Sequence, residues 1–577
     1  MYILGISCFY HDAAACLLKD GRIVAAAEEE RFTRVKHDVR FPINAINFCL
    51  QAAGITAKEL DYVGFYEKPL LKFERLLSQH LEMFPFSFKA FYQSMPSWIN
   101  EKLRVGSIIK RKLKYKGKII FVEHHLSHAA SAYLVSPFKE SAILTADGVG
   151  EWTTTALGRA QGNDIELFKH IYFPHSLGLL YSTITAHLGF KVNNDEYKVM
   201  GLAPYGKPVY YDKLKRVIDV KEDGSYQLDM SYFKYHYALR MPSDKFLQEF
   251  GPVRTGEVEQ RHKDMAASVQ KLLEDVLFSM LRELHKETKS DNLCMAGGVA
   301  LNSVANGKIV RNTPFKRVYV QPAASDAGTS LGVAYYIWNT ILGNKRSFVQ
   351  KHAYLGPSYS TEEIKKFLDD NQIRYTVLKE RKIGKTVAKL IWQNKAIGWF
   401  QGAMEWGPRA LGARSILSNP CNPKMKDILN LKVKHREPFR PFAPAVTVED
   451  APDYFECDKP IPYAADFMLM VYPVVKEKQK RIPAVTHVDG SGRLQTVRKE
   501  VNEQYYNLIK EFEKLSGVPI IINTSFNIRG EPIVCTPYDA YRCMMGTGID
   551  YLVMDRFLIA RAENKRDMWD SEGLAKD

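Results

Sequence analysis

The strongest constraint on the fold is a plan that the chain uses twice. Near the N-terminus, apolar Ile3-Leu4-Gly5-Ile6 runs into the polar corner Tyr10-His11-Asp12, and a second apolar run, 13–18, follows. Lys19-Asp20-Gly21-Arg22 has the composition of a hairpin turn, and 23–27 supplies a third strand. About 140 residues later the order returns. Residues 142–145 lead into Asp147-Gly148-Val149-Gly150, the run 153–157 follows, and a Gly162-Asn163-Asp164 turn precedes 165–168. A unit of this kind built twice predicts an α/β domain with two opposed loops. Two unrelated three-stranded meanders would give the same local pattern.

At 577 residues the chain exceeds one hydrophobic core, and about 150 residues per domain allows roughly two to four units. Hydrophobic residues at 46% and charged residues at 25% exclude disordered, collagen-like and coiled-coil classes. No apolar run approaches the ~18 residues of a membrane span. Met1-Tyr2-Ile3-Leu4-Gly5 shows neither a basic leader nor a small-residue cleavage site, so a soluble cytoplasmic protein is expected. The eight cysteines form no Cys-x-x-Cys pair, which argues against zinc ribbons and for reduced, buried thiols. Eighty Lys and Arg against 65 Asp and Glu leave +15, which suits anionic partners. The one basic stretch, 104–118, reads as a solvated face, which disfavours nucleic acid.

Apolar Met265, Val269, Leu272, Leu273, Val276, Met280 and Leu284 predict one long helix with a buried stripe. Residues 292–302 then read as a strand, a Gly297-Gly298 turn and a helix opening, where free N–H groups can meet phosphate. Interruptions at Gly343-Asn344 and Gly356-Pro357-Ser358 predict a boundary, dividing the chain into domains 1–345 and 346–577. The second alternates helices (361–371, 385–394) with apolar strands (396–400, 518–522) and is also α/β. Gly384-Lys385-Thr386 is no nucleotide P-loop, because Lys379 stands where the earlier glycine is required.

Two constellations carry chemistry. His124 and His128 stand four apart at a helix start, on one face, where they can grip one metal ion. A zinc-protease pattern would need Glu after the first His, and His125 stands there. Asp147 and Asp326, each just past an apolar strand, complete a mixed nitrogen and oxygen set suited to Fe(II), Mn(II) or Zn(II). Farther on, Arg409 and Arg414 lie in the glycine-rich 407–415. Lys432, Lys434, Arg436 and Arg440 follow, offering forks for phosphate or carboxylate. Asn523-Thr524-Ser525-Phe526-Asn527 follows the strand 518–522, where open α/β sheets bind ligands. A solvated charged surface with a polar loop is the alternative.

Taken in order, the segments Gly5 to Ala15, AEEERFTRVKH from Ala27, HHLSHAAS from His124, KVMGLAPYG from Lys198, AGGVALN from Ala296, 322–332, 407–415, 440–444 and NTSFNIRGEP from Asn523 resemble the O-carbamoyltransferases of the NodU/CmcH type. They cover nearly the whole chain. The resemblance implies an N-terminal domain with the duplicated actin/sugar-kinase-like (ASKHA, RNase H-like) fold and a C-terminal YrdC-like α/β domain. It also implies a reaction. The C-terminal site takes carbamoyl phosphate, the N-terminal site combines carbamate with ATP to give carbamoyl-adenylate and pyrophosphate, and the carbamoyl group passes to a hydroxyl of a sugar or natural product in secondary metabolism.

By the same resemblance His124, His128, Asp147 and Asp326 match metal ligands, with iron(II) the expected ion and magnesium compatible with ATP. Asp147, Gly178, Gly298 and Asn302 match nucleotide contacts. Arg409, Arg440, Arg493 and Asn523 match a carbamoyl-phosphate clamp, and Lys434 and Ser525 line it as catalytic residues. His11 and Lys36 match the acceptor side of the adenylate pocket, and His11 is suited to take the acceptor's proton, since a free imidazole titrates near working pH. Phe9 departs from members that hold a cationic acceptor with Asp there, which favours a neutral or anionic acceptor. Residues 207–262 match no motif. A homodimer is compatible. Two other classes share features: an enzyme of tRNA threonylcarbamoyl-adenosine synthesis, and a non-catalytic, ATP-binding, actin-like scaffold. Against the first, Arg409, Arg440 and Asn523 match the transferase version of the C-terminal domain, and the second has no use for two polar sites.

Overall fold

The computed structural model describes residues 1–565. It is α/β throughout and divides into two compact units: Met1–Glu29 with Val39–Gln350, and Glu30–Asp38 with the chain from Lys351 onward. The nine residues of Glu30–Asp38 therefore belong with the second unit, which a single cut between 345 and 346 does not anticipate.

The first unit contains two five-stranded sheets. One is built from β1 (Tyr2–Ser7), β2 (Ala14–Lys19), β3 (Arg22–Glu28), β4 (Tyr62–Phe65) and β5 (Lys118–Phe121). The other holds β6 (Glu140–Ala146), β7 (Thr153–Gln161) and β8 (Asp164–Tyr172). After the small hairpin β9 (Ile218–Val220) and β10 (Tyr226–Leu228), it is completed by β11 (Asn292–Ala296) and β12 (Arg317–Val320). Their orders are β3-β2-β1-β4-β5 and β8-β7-β6-β11-β12, with antiparallel pairing through the first three strands and parallel pairing in the last two. The repeat expected from the sequence is thus a repeat of whole sheets. Asp20 at φ 49° and Gly21 at φ 75° supply the two left-handed residues that a tight hairpin twist requires.

Each sheet is followed by an equivalent helix, His124–Tyr133 after β5 and Asp326–Tyr335 after β12. The two pack on each other, and a side chain at Gly332 would collide with the Ser127 carbonyl, so the backbones meet without intervening atoms. The predicted long helix is Gln260–Thr288, with Met265, Val269, Leu272 and Met280 buried. Residues 207–262 form short elements whose tyrosines brace the chain entering Gly178. Tyr226 Oη accepts from Leu177 N at 2.8 Å, and Tyr235 donates to Pro174 O at 2.7 Å.

The second unit is one nine-stranded sheet. Its strands are β13 (Thr376–Val377), β14 (Ile397–Phe400), β15 (Arg414–Ser418), β16 (Ala443–Thr447), β17 (Met470–Pro473), β18 (Ser491–Val497), β19 (Ile520–Ser525), β20 (Tyr551–Met554) and β21 (Phe557–Ala560). They run in the order β13-β21-β20-β14-β15-β19-β16-β18-β17. Helices Ile383–Trp392 and Glu503–Ser516 cover one face, burying Val387, Ile391 and Phe512 on Trp399, Leu417 and Ile521. Here the sequence reading needs correcting. β19 continues to Ser525, so Asn523 lies within a strand, not in the loop after one.

Candidate active site

In the first unit, four side chains meet at the helix pair. His124 and His128 share a face because 3.6 residues complete a turn, and the Glu151 carboxylate accepts the His124 backbone N–H at the helix start. Asp147 ends β6, and Asp326 opens its helix rather than lying in a loop. His124 Nε2 lies 3.1 Å from His128 Nε2, 3.1 Å from Asp147 Oδ2 and 3.7 Å from Asp326 Oδ1. His128 Nε2 lies 3.7 and 3.6 Å from the same two carboxylates. Donors on adjacent corners around one ion, with bonds of about 2.0–2.2 Å, sit about 3.0–3.6 Å apart. Asp326 Oδ2 is buried with no partner among the described residues. The donor set therefore fits one divalent cation. Burial opposes charge on Asp147, but hydrogen bonds from His124 and His128 outweigh it and hold the carboxyl well below its usual range. His125 turns away, its Nδ1 2.8 Å from Thr145 Oγ1, and burial holds it neutral.

Asp147 has a second role. Its Oδ1 accepts the Gly298 N–H at 3.0 Å, while Ser176 Oγ donates to the Gly148 carbonyl at 2.7 Å and caps the helix Leu177–His187. A Cβ at Gly178 would stand 2.6 Å from the Asp147 carbonyl, so only glycine fits. Asp147, Gly178 and Gly298 are thus brought together as expected. Asn302 is engaged differently. Its side chain caps Ala305 N–H at 3.0 Å and exchanges hydrogen bonds with Gln270, so its amide is committed to the scaffold.

The corner after β1 is strained. Phe9 at φ 72° and Asp12 at φ 43° occupy left-handed backbone, at a cost of order 1 kcal/mol each. His11 Nδ1 lies 2.9 Å from Asp12 Oδ2, and His11 Nε2 lies 2.8 Å from the Asn193 carbonyl. Burial opposes its protonation, but the Asp12 carboxylate dominates and pushes His11 up to about 10. Both ring nitrogens face oxygen acceptors, which favours the charged form. In this placement the ring favours donating a proton over taking one.

In the second unit Asn523 stands among the segments that carry the expected clamp residues. Its Nδ2 donates to Ala410 O, next to Arg409, and to Gln495 Oε1. Asn523 pairs in register with Ala443, three residues after Arg440, and Gln495 shares a strand face with Arg493, two residues before it. Asn523 Oδ1 is buried without a partner among the described residues. Lys434 is buried, with Nζ on Ser525 O at 2.7 Å, Ser525 Oγ at 3.3 Å and Asn527 Oδ1 at 2.6 Å. Burial first, then Arg436, Arg440 and Lys36, holds it well below the usual lysine range. Lys36 thus falls within the second unit, in the field of Lys434.

One arginine of the sequence reading serves another purpose, and several residues escaped that reading. Arg414 is no ligand arm, because its guanidinium is fully buried and donates to the carbonyls of Gln401, Ala413, Pro357 and Gly402. Glu405 Oε1 accepts the N–H groups of Leu411, Ala413 and Arg414 and so folds the loop that carries Arg409. Arg31 donates to Gly407 O, and Arg34 to Pro532 O and Ile533 O. Only a charged residue inside a glycine-rich loop hinted at Glu405.

With this geometry in place the chain can be set beside known proteins. The carbamoyltransferase N-terminus family matches residues 2–335, and the carbamoyltransferase C-terminus family matches 388–561. The chain belongs to the carbamoyltransferase family and is an enzyme of that class. It is 47% identical to an uncharacterized protein of Synechocystis sp. over 99% of both chains. It is also 36% identical to nodulation protein NolNO of Sinorhizobium fredii, over 98% of this chain and 81% of that one. Among solved structures it shows a remote likeness to T. kodakarensis HypF, with a TM-score of 0.32 and 15% identity over 59% of this chain and 48% of that one. Among the described residues, no helix is long and apolar enough to cross a membrane.

Proposed function

We propose that the chain is an ATP-dependent O-carbamoyltransferase that makes carbamoyl-adenylate from carbamoyl phosphate and ATP and passes the carbamoyl group to a hydroxyl of a small molecule. The observation that carries this reading is the double use of Asp147. One of its oxygens joins the His124, His128 and Asp326 cluster, and the other accepts the Gly298 N–H, so the cation site and the nucleotide loop share a side chain. The repeated strand order supports the actin/sugar-kinase-like fold for the first unit. The YrdC-like assignment of the second rests on its motifs.

Iron(II), held by His124, His128, Asp147 and Asp326, would neutralise and orient the nucleotide's phosphates. Gly178 and Gly298 let backbone approach the nucleotide. Arg409, Arg440 and Arg493 would hold the phosphate of carbamoyl phosphate by charge-assisted forks. The orphaned Asn523 Oδ1 is the complement of its NH2 group. Lys434 fixes the 525–527 turn, Ser525 included. His11, charged, donates a hydrogen bond on the acceptor side, and Lys36 lies with the second site. Pyrophosphate release from ATP, with and without carbamoyl phosphate, tests the reading. Release that ignores carbamoyl phosphate would refute it, and a carbamoyl mass gain on one member of a panel of hydroxylated sugars would identify the acceptor.

A further inference from the structure

The helical insertion between β4 and β5 carries two buried cations that the reaction above leaves unused. Lys72 and Arg75 stand three apart on the helix Pro69–Glu82, so they face the same side, and they are only 2% and 7% exposed. Lys72 is accounted for. Its Nζ lies 2.6 Å from Glu67 Oε2 and 4.2 Å over the Tyr10 ring. Arg75 is not. Its guanidinium lies 4.8 Å from the Phe173 ring centre, its Nε is sealed from solvent, and no hydrogen bond or ion pair reaches it from the described residues. A buried cation whose Nε has no acceptor is costly. The nearby carboxylates are committed elsewhere, Glu67 to Lys72 and Glu151 to the backbone N–H groups of Lys68 and His124.

The surroundings locate this cation. Tyr10 belongs to the corner that holds His11, and Phe173 to the segment that enters Gly178, so the pair lies against one residue from each loop. Burial raises the Tyr10 hydroxyl, Lys72 and Arg75 pull it down, and Asp147 and Asp326 raise it again, which puts one hydroxyl within electrostatic reach of both groups. At the equivalent point of the second repeat, between β11 and β12, stand three four-residue helical turns, Gly298–Leu301, Ser303–Asn306 and Ile309–Asn312. The insertion is therefore extra to the duplicated scaffold that would hold the nucleotide. Phe9, buried in the same corner, offers no charge to an acceptor at its position.

Building on the O-carbamoyltransferase reading, we propose that Arg75, backed by Lys72, binds an anionic group, a carboxylate or phosphate, on the hydroxyl acceptor. The test titrates inorganic phosphate calorimetrically into full-length protein saturated with a non-hydrolysable ATP analogue, in an Arg440→Ala background that silences the second unit's anion site. One Arg75-dependent equivalent is expected, weakened by about tenfold or more in Arg75→Gln and largely kept in Arg75→Lys, with the ATP analogue's affinity unchanged. Equal phosphate binding by Arg75→Gln would overturn the proposal. So would a loss of ATP-analogue affinity in that variant, which would assign the guanidinium to the nucleotide. Failure of the analogue to bind at all, with the Arg75-dependent equivalent still present, would remove the adenylation reading and leave this site standing. Against misfolding of the variants, crystals of the unaltered protein soaked in selenate should show an anomalous peak within hydrogen-bond distance of Arg75, and an empty position would also refute the site.

Discussion

The two units concentrate opposite charge. In the first, two imidazoles and two carboxylates crowd within a few ångströms and call for a cation. In the second, Asn523 and the buried Lys434 stand among the segments that carry Arg409, Arg440 and Arg493, a set that suits an anion. A buried charge without its counterpart is unfavourable, and the two sites suit counterparts of opposite sign. The contrast teaches that the two units suit different ligands, so damage to one should leave the other's binding intact.

The largest effect should come from breaking the cation site. His128→Ala should lower bound divalent metal, read by elemental analysis, from one per chain to a small fraction. It should also cut carbamoyl-phosphate-dependent pyrophosphate release by on the order of a hundredfold or more. Full activity in metal-poor protein would erase the contrast. Arg440→Ala should come next. The lost charge-assisted contact should weaken carbamoyl phosphate by about 1.5–3 kcal/mol, or roughly ten- to a hundredfold, with ATP-analogue affinity unchanged by calorimetry. Parallel loss of both ligands would mean that the two sites are one.

His11 gives a finer test. As an imidazolium titrating at about 10, it should leave kcat/KM for the acceptor flat between pH 6.5 and 9 and let it fall above pH 10. A profile that climbs toward pH 10 would establish the base role, and His11→Asn should flatten either profile. Lys434 should show the smallest effect. Its folded value lies below the ordinary 10.5, so between the two the unfolded chain binds the extra proton and stability rises with pH. Unaltered protein should therefore gain on Lys434→Met by at most about 1.4 kcal/mol per pH unit in that window, measured by urea unfolding. A difference that does not move with pH would show Lys434 to be charged throughout.

What the sequence revealed followed distance along the chain. The strands of both repeats were legible because hairpin turns and apolar runs act over a few residues, and His124 with His128 because helical geometry acts over four. The two aspartates were reachable as carboxylates that end apolar runs. Arg31 and Arg34 were not, since their carbonyl partners lie 376 to 499 positions away and a carbonyl carries no residue identity. Arg414 misled for a related reason. A guanidinium that serves four backbone oxygens is spelled just like one that serves a phosphate. Asn523 was found but misplaced, because polar residues at the end of a buried strand look like the loop beyond it.

The nine residues of Glu30–Asp38 bear on how this protein is made. On the ribosome they emerge hundreds of residues before Gly407 and Pro532, the segments that Arg31 and Arg34 will hold. The second unit cannot finish folding from its own stretch of chain, and a gene cut after codon 350 would yield a C-terminal fragment lacking a piece of itself. Supplying Glu30–Asp38 as a separate peptide should then rescue that fragment's solubility, which makes the two halves of this enzyme inseparable by simple truncation though not by complementation.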